Sequence, residues 1–220
     1  MQNITNDSAT MNGKKKGLSS KVIIVVAIVV GILIGTFWGL TDDDYEKSVI
    51  DHKNESGAII SMNLEQFSKE FEEAYSLVEK PAKFDDVQIS LKDSWKKTTS
   101  STDESGTAYD YYSTTINGIE LQVKVYDNFI SLVLVDFTPF KTPVEIEFAT
   151  ILSTASIIAC SDMSVEKAND IFKYTGDGNL KIYQNDLLYY KSDQGYFVVR
   201  AASQSFVQAW NAQGISVSSW

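Results

Sequence analysis

Among 220 residues the chain carries one histidine, His52, one cysteine, Cys160, and one arginine, Arg200. That scarcity bounds the chemistry. With a single imidazole, a histidine-based metal hydrolase is closed to the chain, and any Ser–His–Asp set would have to be built on His52. His52 falls in a charged stretch without periodicity that reads as a flexible stalk, where nothing holds its tautomer, so no base role is expected of it. One cysteine excludes an intrachain disulfide and a thiolate-rich zinc site. Cys160 follows Ser156, Ile157, Ile158 and Ala159 in an apolar helical run and reads as a buried, inert thiol. Carboxylates are plentiful, but their pairing for acid–base work is not written in residue order. Asp177-Gly178-Asn179 lacks the alternating acids and closing Glu of a calcium loop, and no strand precedes Gly176 and Gly178 as a phosphate cradle requires. No metal and no cofactor are expected.

Two membrane-anchored enzyme classes share part of this layout. Ser61-Met62 resembles the Ser-Met-x-Pro nucleophile motif of type I signal peptidases, but position 64 is Leu and no Arg-Gly-Asp plus Lys-Arg segment follows. Helix capping explains these residues better. Cys160, Arg200 and His52 match the side-chain types of a sortase site. Cys160, however, does not end a Thr-Leu-x-Thr-Cys strand, and His52 lies in the expected stalk.

Aromatic side chains are the remaining handle. Trp95, Tyr111, Tyr112, Tyr189, Tyr190, Trp210 and Trp220 are the candidate ligand or partner surface. Adjacent members of a strand point to opposite faces, so Tyr111 and Tyr112 must part, as must Tyr189 and Tyr190. The competing reading places one face in the core and the other under helices.

These residues are held by a chain organised around an apolar run. Residues 22–40 contain no charged side chain, and as a helix they would be about 28 Å long, close to a bilayer's hydrocarbon core. Lys14, Lys15, Lys16 and Lys21 precede the run and Asp42, Asp43, Asp44 and Glu46 follow it. This places the N-terminus in the cytoplasm and the rest outside. The run is too long for a signal-peptide core and lacks a small-x-small exit, and no Cys follows it for lipidation. Gly31 and Gly35 form a small-xxx-small pair suited to packing against another membrane helix. The expected organisation is a disordered cytoplasmic tail over 1–21, a transmembrane helix over 22–40, a stalk over 41–58 and one domain over 59–220. From Thr41 onward the chain carries 28 acidic and 15 basic residues, a net charge of −13. That argues against nucleic acid as a partner. The 18 Lys to one Arg, with abundant Asn, Ile and Tyr, is a bias associated with AT-rich bacterial genomes.

Within the domain, Asn63 with Gln66 forms a capping box and Met62 with Phe67 a hydrophobic staple, so a helix is expected over 64–79. Alternation predicts a strand over 87–95, followed by a polar loop over 96–106. Strands over 109–116, 119–126 and 129–137 flank Asn117-Gly118 and Asp127-Asn128, which are hairpin turns. Thr142, Pro143 and Glu145 start a helix that is apolar on nearly every side. Ser164 caps another helix over 165–174, with Gly176 as its stop. Strands over 180–190 and 196–202 form a last hairpin, and the tail from Trp210 has no clear structure. Met62-Asn63-Leu64-Glu65 with Phe71 recurs as Met163-Ser164-Val165-Glu166 with Phe172, although cap and staple rules alone would generate that phrase.

The order of elements, with Ser164-Val165-Glu166-Lys167-Ala168 and Leu188-Tyr189-Tyr190, resembles uncharacterised lipoprotein-like or membrane-anchored ectodomains of low-GC Gram-positive bacteria. The resemblance spans about 60–203 and implies no assigned function. The expected fold is therefore α+β: an antiparallel sheet with helices mainly on one face, behind one N-terminal transmembrane helix. The expected role is a binding or interaction module at the cell envelope, for an envelope protein, a peptide or a small ligand. A carboxylate-based hydrolase or peptidoglycan-processing enzyme is the alternative, and a sensory or structural subunit acting through its membrane helix is a third reading.

Overall fold

A computed structural model describes residues 47–138, 142–176 and 180–219. The tail over 1–21, the spanning helix over 22–40 with Gly31 and Gly35, residues 41–46 of the stalk, Asp177-Gly178-Asn179 and Trp220 lie outside the described residues.

The folded unit opens earlier than expected, because residues 47–58 are structured. Strand β1 (Val49–Asp51) pairs antiparallel with β2 (Ala58–Ile60). Asn54 closes the turn between them: its Oδ1 accepts from the N–H groups of Ser56 (3.0 Å) and Ala58 (3.1 Å), and its Nδ2 donates to Ala58 O (2.7 Å). A side chain that mimics backbone in this way leaves no hydrophobic period to read, which is why the segment looked like a stalk.

Helix α1 (Leu64–Leu77) starts on the expected Asn63–Gln66 capping box and buries Phe67, Phe71, Ala74 and Tyr75. Residues 87–95, expected as a strand, lie outside the sheet. Two of their backbone groups are bonded by α1 side chains: Glu72 Oε1 accepts from Leu91 N–H (2.6 Å) and Tyr75 OH donates to Val87 O (3.2 Å). The alternation there reflects packing against a helix. The next strand is instead the polar β3 (Lys96–Thr102), exposed along its whole length at the sheet edge. Strands β4 (Ala108–Ile116), β5 (Ile119–Tyr126) and β6 (Phe129–Asp136) form the expected meander. Its turns carry positive φ at Asn117 (49°), Gly118 (86°), Asp127 (47°) and Asn128 (71°), as tight hairpins demand.

Helix α2 (Pro143–Cys160) has the expected Thr142–Glu145 capping box. It is long and apolar enough to cross a membrane, yet it is mostly buried inside the domain. Helix α3 (Val165–Gly176) follows. The single strand expected over 180–190 is two, β7 (Lys181–Gln184) and β8 (Leu187–Lys191), because Asn185 and Asp186 turn the chain at φ 49° and 59°. Strand β9 (Tyr196–Ala201), helix α4 (Gln204–Ala212) and strand β10 (Val217–Ser219) complete the described chain.

The sheet runs β10-β7-β8-β9-β6-β5-β4-β3, with β2 beside β6 and β1 beside β2. It is mixed, not wholly antiparallel, because β10 pairs parallel with β7. Each of the helices α1 and α3 leads to a meander, and the last strands of the two meanders, β6 and β9, pair antiparallel in the middle. The pleat divides side chains into two registers. Tyr112, Val123, Val133, Val199 and Tyr189 share the face covered by α1, α2 and α3, whereas Tyr111, Lys124, Leu132, Arg200 and Leu188 share the other. Among the described helices, α4 is the one on that second face, through Val207 on Leu188 and Ala202.

Candidate functional site

The aromatic residues singled out above part three ways. Tyr189 is fully buried against α2 and belongs to the core. Tyr111, Tyr190 and Trp210 gather on the α4 face, where the Tyr190 and Trp210 rings meet edge to face at 5.7 Å. Trp95 and Tyr112 flank a cleft beside α1.

The principal lobe of that open cleft measures ≈ 550 Å3, between Leu64, Ser68, Trp95 and Tyr112, with Glu65, Asp93 and Lys92 exposed at the rim. A second lobe of ≈ 320 Å3 shares Leu64, Glu65 and Tyr112 and reaches Val125 and Asn128. The first two turns of α1 set the geometry. Trp95 Nε1 donates to Ser68 Oγ (2.8 Å), and Ser68 in turn donates to Leu64 O (2.7 Å). The indole also packs on Phe67 at 6.1 Å, with the rings inclined by 50°. Both aromatic walls are thus half-buried and oriented, the one by a hydrogen-bond chain, the other by its strand.

On the opposite face an ionic network joins the N-terminal segment to the sheet. Glu55 Oε1 accepts from both Lys124 Nζ (2.9 Å) and Arg200 (2.8 Å), side chains that are only 7% and 12% exposed. The Lys124 ammonium sits 3.9 Å above the Tyr109 ring, and the Arg200 guanidinium 4.6 Å from the Phe206 ring. Desolvation pushes the Tyr111 phenol up to about 12 and raises Tyr126 and Tyr190 as well. Neither Glu55 nor Lys124 stood out in the sequence. Lys124 carried one faint signal, a charge inside a run of Val, Tyr and Leu on a central strand, and Glu55 carried none.

Asp103 locks the same segment. Desolvation works against its ionised form, but hydrogen bonds from Ser105, Thr107, Tyr126 and the Glu55 N–H outweigh it and hold its carboxyl well below the usual carboxylate range. A depressed folded-state pKa contributes stability above the unfolded value, about 3.9, which is lost as pH falls through the folded value. Asp103→Asn should therefore be less stable than the natural chain at pH 7, with the gap narrowing below about pH 4. Urea unfolding at neutral and acid pH checks this, and a gap that widens in acid would contradict it.

His52 belongs to this edge as well, not to a flexible linker. Its Nε2 lies 3.0 Å from Asp127 Oδ2 and its ring 5.6 Å from Tyr126, while Nδ1 is buried with no partner among the described residues. The sortase set does not assemble: Arg200 is on the α4 face, whereas Cys160 is buried on the α2 side near Tyr189. Burial pushes the Cys160 thiol up to about 12, opposed only in part by Lys47. Native protein should accordingly leave Cys160 unreacted with an aromatic disulfide reagent at pH 8 and yield one thiol after denaturation. Rapid native labelling would contradict the buried assignment. Ser61 Oγ accepts from the N–H and hydroxyl of Ser48, both at 3.0 Å, which is a bracing role for the serine of the peptidase-like motif. Among the described residues no three His, Cys, Asp or Glu side chains converge to hold a metal ion.

No protein-family model, no curated protein and no solved structure matches this chain.

Proposed function

We propose that the protein is a single-pass, membrane-anchored binding module of the cell envelope, and that its extracytoplasmic domain takes its ligand in the Trp95–Tyr112 cleft. The anchor rests on residues 22–40 and their flanking charges. The observation that carries the binding reading is the cleft itself: a lobe of ≈ 550 Å3 walled by two oriented, half-buried aromatics. Ligand sites are commonly about 300–1,000 Å3, mostly apolar, with few placed polar groups.

Ligand chemistry follows from the walls. Leu64, Trp95 and Tyr112 offer apolar and π surface, and the Glu65 and Asp93 carboxylates outnumber the Lys92 ammonium at the rim. An aromatic face beside carboxylates favours a cation, and the net charge of −13 from Thr41 onward concentrates cations around the domain. The ligand class is thus a short peptide segment with Lys or Arg next to an apolar residue.

The test is fluorescence anisotropy of labelled peptides that differ only in a basic, neutral or acidic residue beside one aromatic, added to the full-length chain in detergent. Saturable binding in the order basic, neutral, acidic, weakening with salt, is expected. Equal or absent binding across the panel would remove the reading.

A further inference from the structure

The second lobe of the cleft has two walls, and the first described residues of the chain hold both. One wall is Asn63, Leu64 and Glu65 at the start of α1, and the other is Asn128 in the turn between β5 and β6. Residues 47–52 do not line the lobe, yet they fasten what flanks each wall. Ser48 exchanges backbone bonds with Ser61, two residues before Asn63: its N–H donates to Ser61 Oγ (3.0 Å) and its carbonyl accepts from Ser61 N–H (2.8 Å). His52 Nε2 lies 3.0 Å from Asp127 Oδ2, on the residue next to Asn128. The two walls are also joined behind the lobe, where Ile130 N–H donates to Met62 O (3.0 Å). A shift of residues 47–52 therefore bears on both walls together.

The same segment is built to come away without unfolding the domain. Strand β1 is three residues long and pairs with β2 alone, with Ile50 41% exposed. Asp127 is 78% exposed, so its pairing with His52 contributes little by itself. At the far end Lys47 is pinned by Glu70 (2.6 Å) and Asp162 (3.5 Å). Residues 54–57 are fastened far more deeply, by the Asn54 turn, by Glu55 between Lys124 and Arg200, and by Ser203 N–H on Ser56 O (3.0 Å). Lys53 is the pivot between the two parts. Short, partly exposed pairings opening beside a fixed knot are the low-stability end of a fold, from which moving elements are drawn.

We propose that residues 47–52 and the cleft are coupled, so that a peptide in the cleft holds this segment docked and release of the segment weakens the peptide. The inference rests on the cleft being the peptide site. In the docked state Ser48 and His52 fix the spacing of the two walls, and a ligand that fills the second lobe is complementary to that spacing alone. Such a ligand shifts the population toward the docked state, and by reciprocity docking raises its affinity by the same factor. His52 is then a positioning residue for a site it does not touch. Residue 47 continues in the chain toward the apolar run over 22–40, so the coupling makes the module a receptor whose occupancy is felt where the domain is attached.

The experiment is amide hydrogen exchange by mass spectrometry on the full-length chain in detergent, with and without the basic peptide at a concentration that saturates its anisotropy signal. Exchange over residues 48–52 should slow about fivefold with peptide, the lower end of typical coupling between sites, while Ser56 and Ala58, bonded by Asn54, stay unchanged. His52→Ala should bind the peptide about fivefold more weakly. Asp127→Asn, which tolerates the same positive φ at an exposed turn and so folds, should weaken it less. Peptide binding with unchanged exchange over 48–52, or with unchanged affinity in both variants, would overturn the coupling and leave the cleft reading standing. Absence of any peptide binding by anisotropy would remove the cleft reading and the coupling with it.

Discussion

Glu55→Ala should lower the unfolding free energy by about 3 kcal/mol, because it strands two buried cations at once. Lys124 and Arg200 both rely on the same Glu55 oxygen, at 2.9 and 2.8 Å. Breaking a buried pair by removing one partner costs about 3–5 kcal/mol. The lower end applies here, since the Glu55 side chain is 33% exposed and water reaches its side of the network. Lys124→Met is the contrasting variant. It removes one cation, keeps Glu55 bridged to Arg200, and retains apolar contact with Tyr109, so its cost should be about 1 kcal/mol. Urea unfolding of both variants at pH 7 measures the difference. A Glu55→Ala cost below that of Lys124→Met would show that the network is a surface decoration.

The second large effect is expected at Phe67, which is fully buried and touches Phe71 at 5.7 Å and Trp95 at 6.1 Å. Phe67→Ala should cost about 4 kcal/mol through lost burial and the cavity left behind. Its further consequence is functional. Trp95 loses the ring that backs it and keeps only the bond to Ser68, so the cleft wall loosens and peptide affinity drops even where the variant remains folded. Calorimetric unfolding and peptide anisotropy at low temperature measure the two effects separately. Full affinity in a destabilised but folded Phe67→Ala would show that Trp95 needs no backing.

Local rules carried much of the fold. The capping boxes at Asn63–Gln66 and Thr142–Glu145 and the Asn117-Gly118 turn are written in residues a few positions apart, and each forms as expected. Where partners are distant in the chain, the same rules failed. Residues 87–95 alternate like a strand but hydrogen-bond to Glu72 and Tyr75 of α1, and Lys96–Thr102 became a strand because an edge tolerates polar side chains on both faces. The turn at Asn185-Asp186, glycine-free like Asp127-Asn128, lies between short apolar stretches that read together as one strand. Of the candidate site, residue type picked out Trp95 and Tyr112 but could not separate them from Tyr189, which faces the core. Tyr112 and Tyr189 share one register of the pleat, and what separates them is cover: β4 lies next to the sheet edge and leaves Tyr112 half-buried, whereas Tyr189 is sealed inside the domain, and strand order is set by pairings far along the chain. Glu55 was invisible because its partners are 69 and 145 residues away.

The central claim is that the Trp95–Tyr112 cleft is where the domain binds. Its most direct test is titration calorimetry of the basic peptide into the full-length chain and its Tyr112→Ala variant, with thermal unfolding of both as control. Tyr112 lies on a strand that remains paired on both sides, so the variant should fold while its affinity falls about tenfold, as for removal of a central aromatic contact. An unchanged dissociation constant in a folded Tyr112→Ala protein would contradict the account and move the binding surface elsewhere.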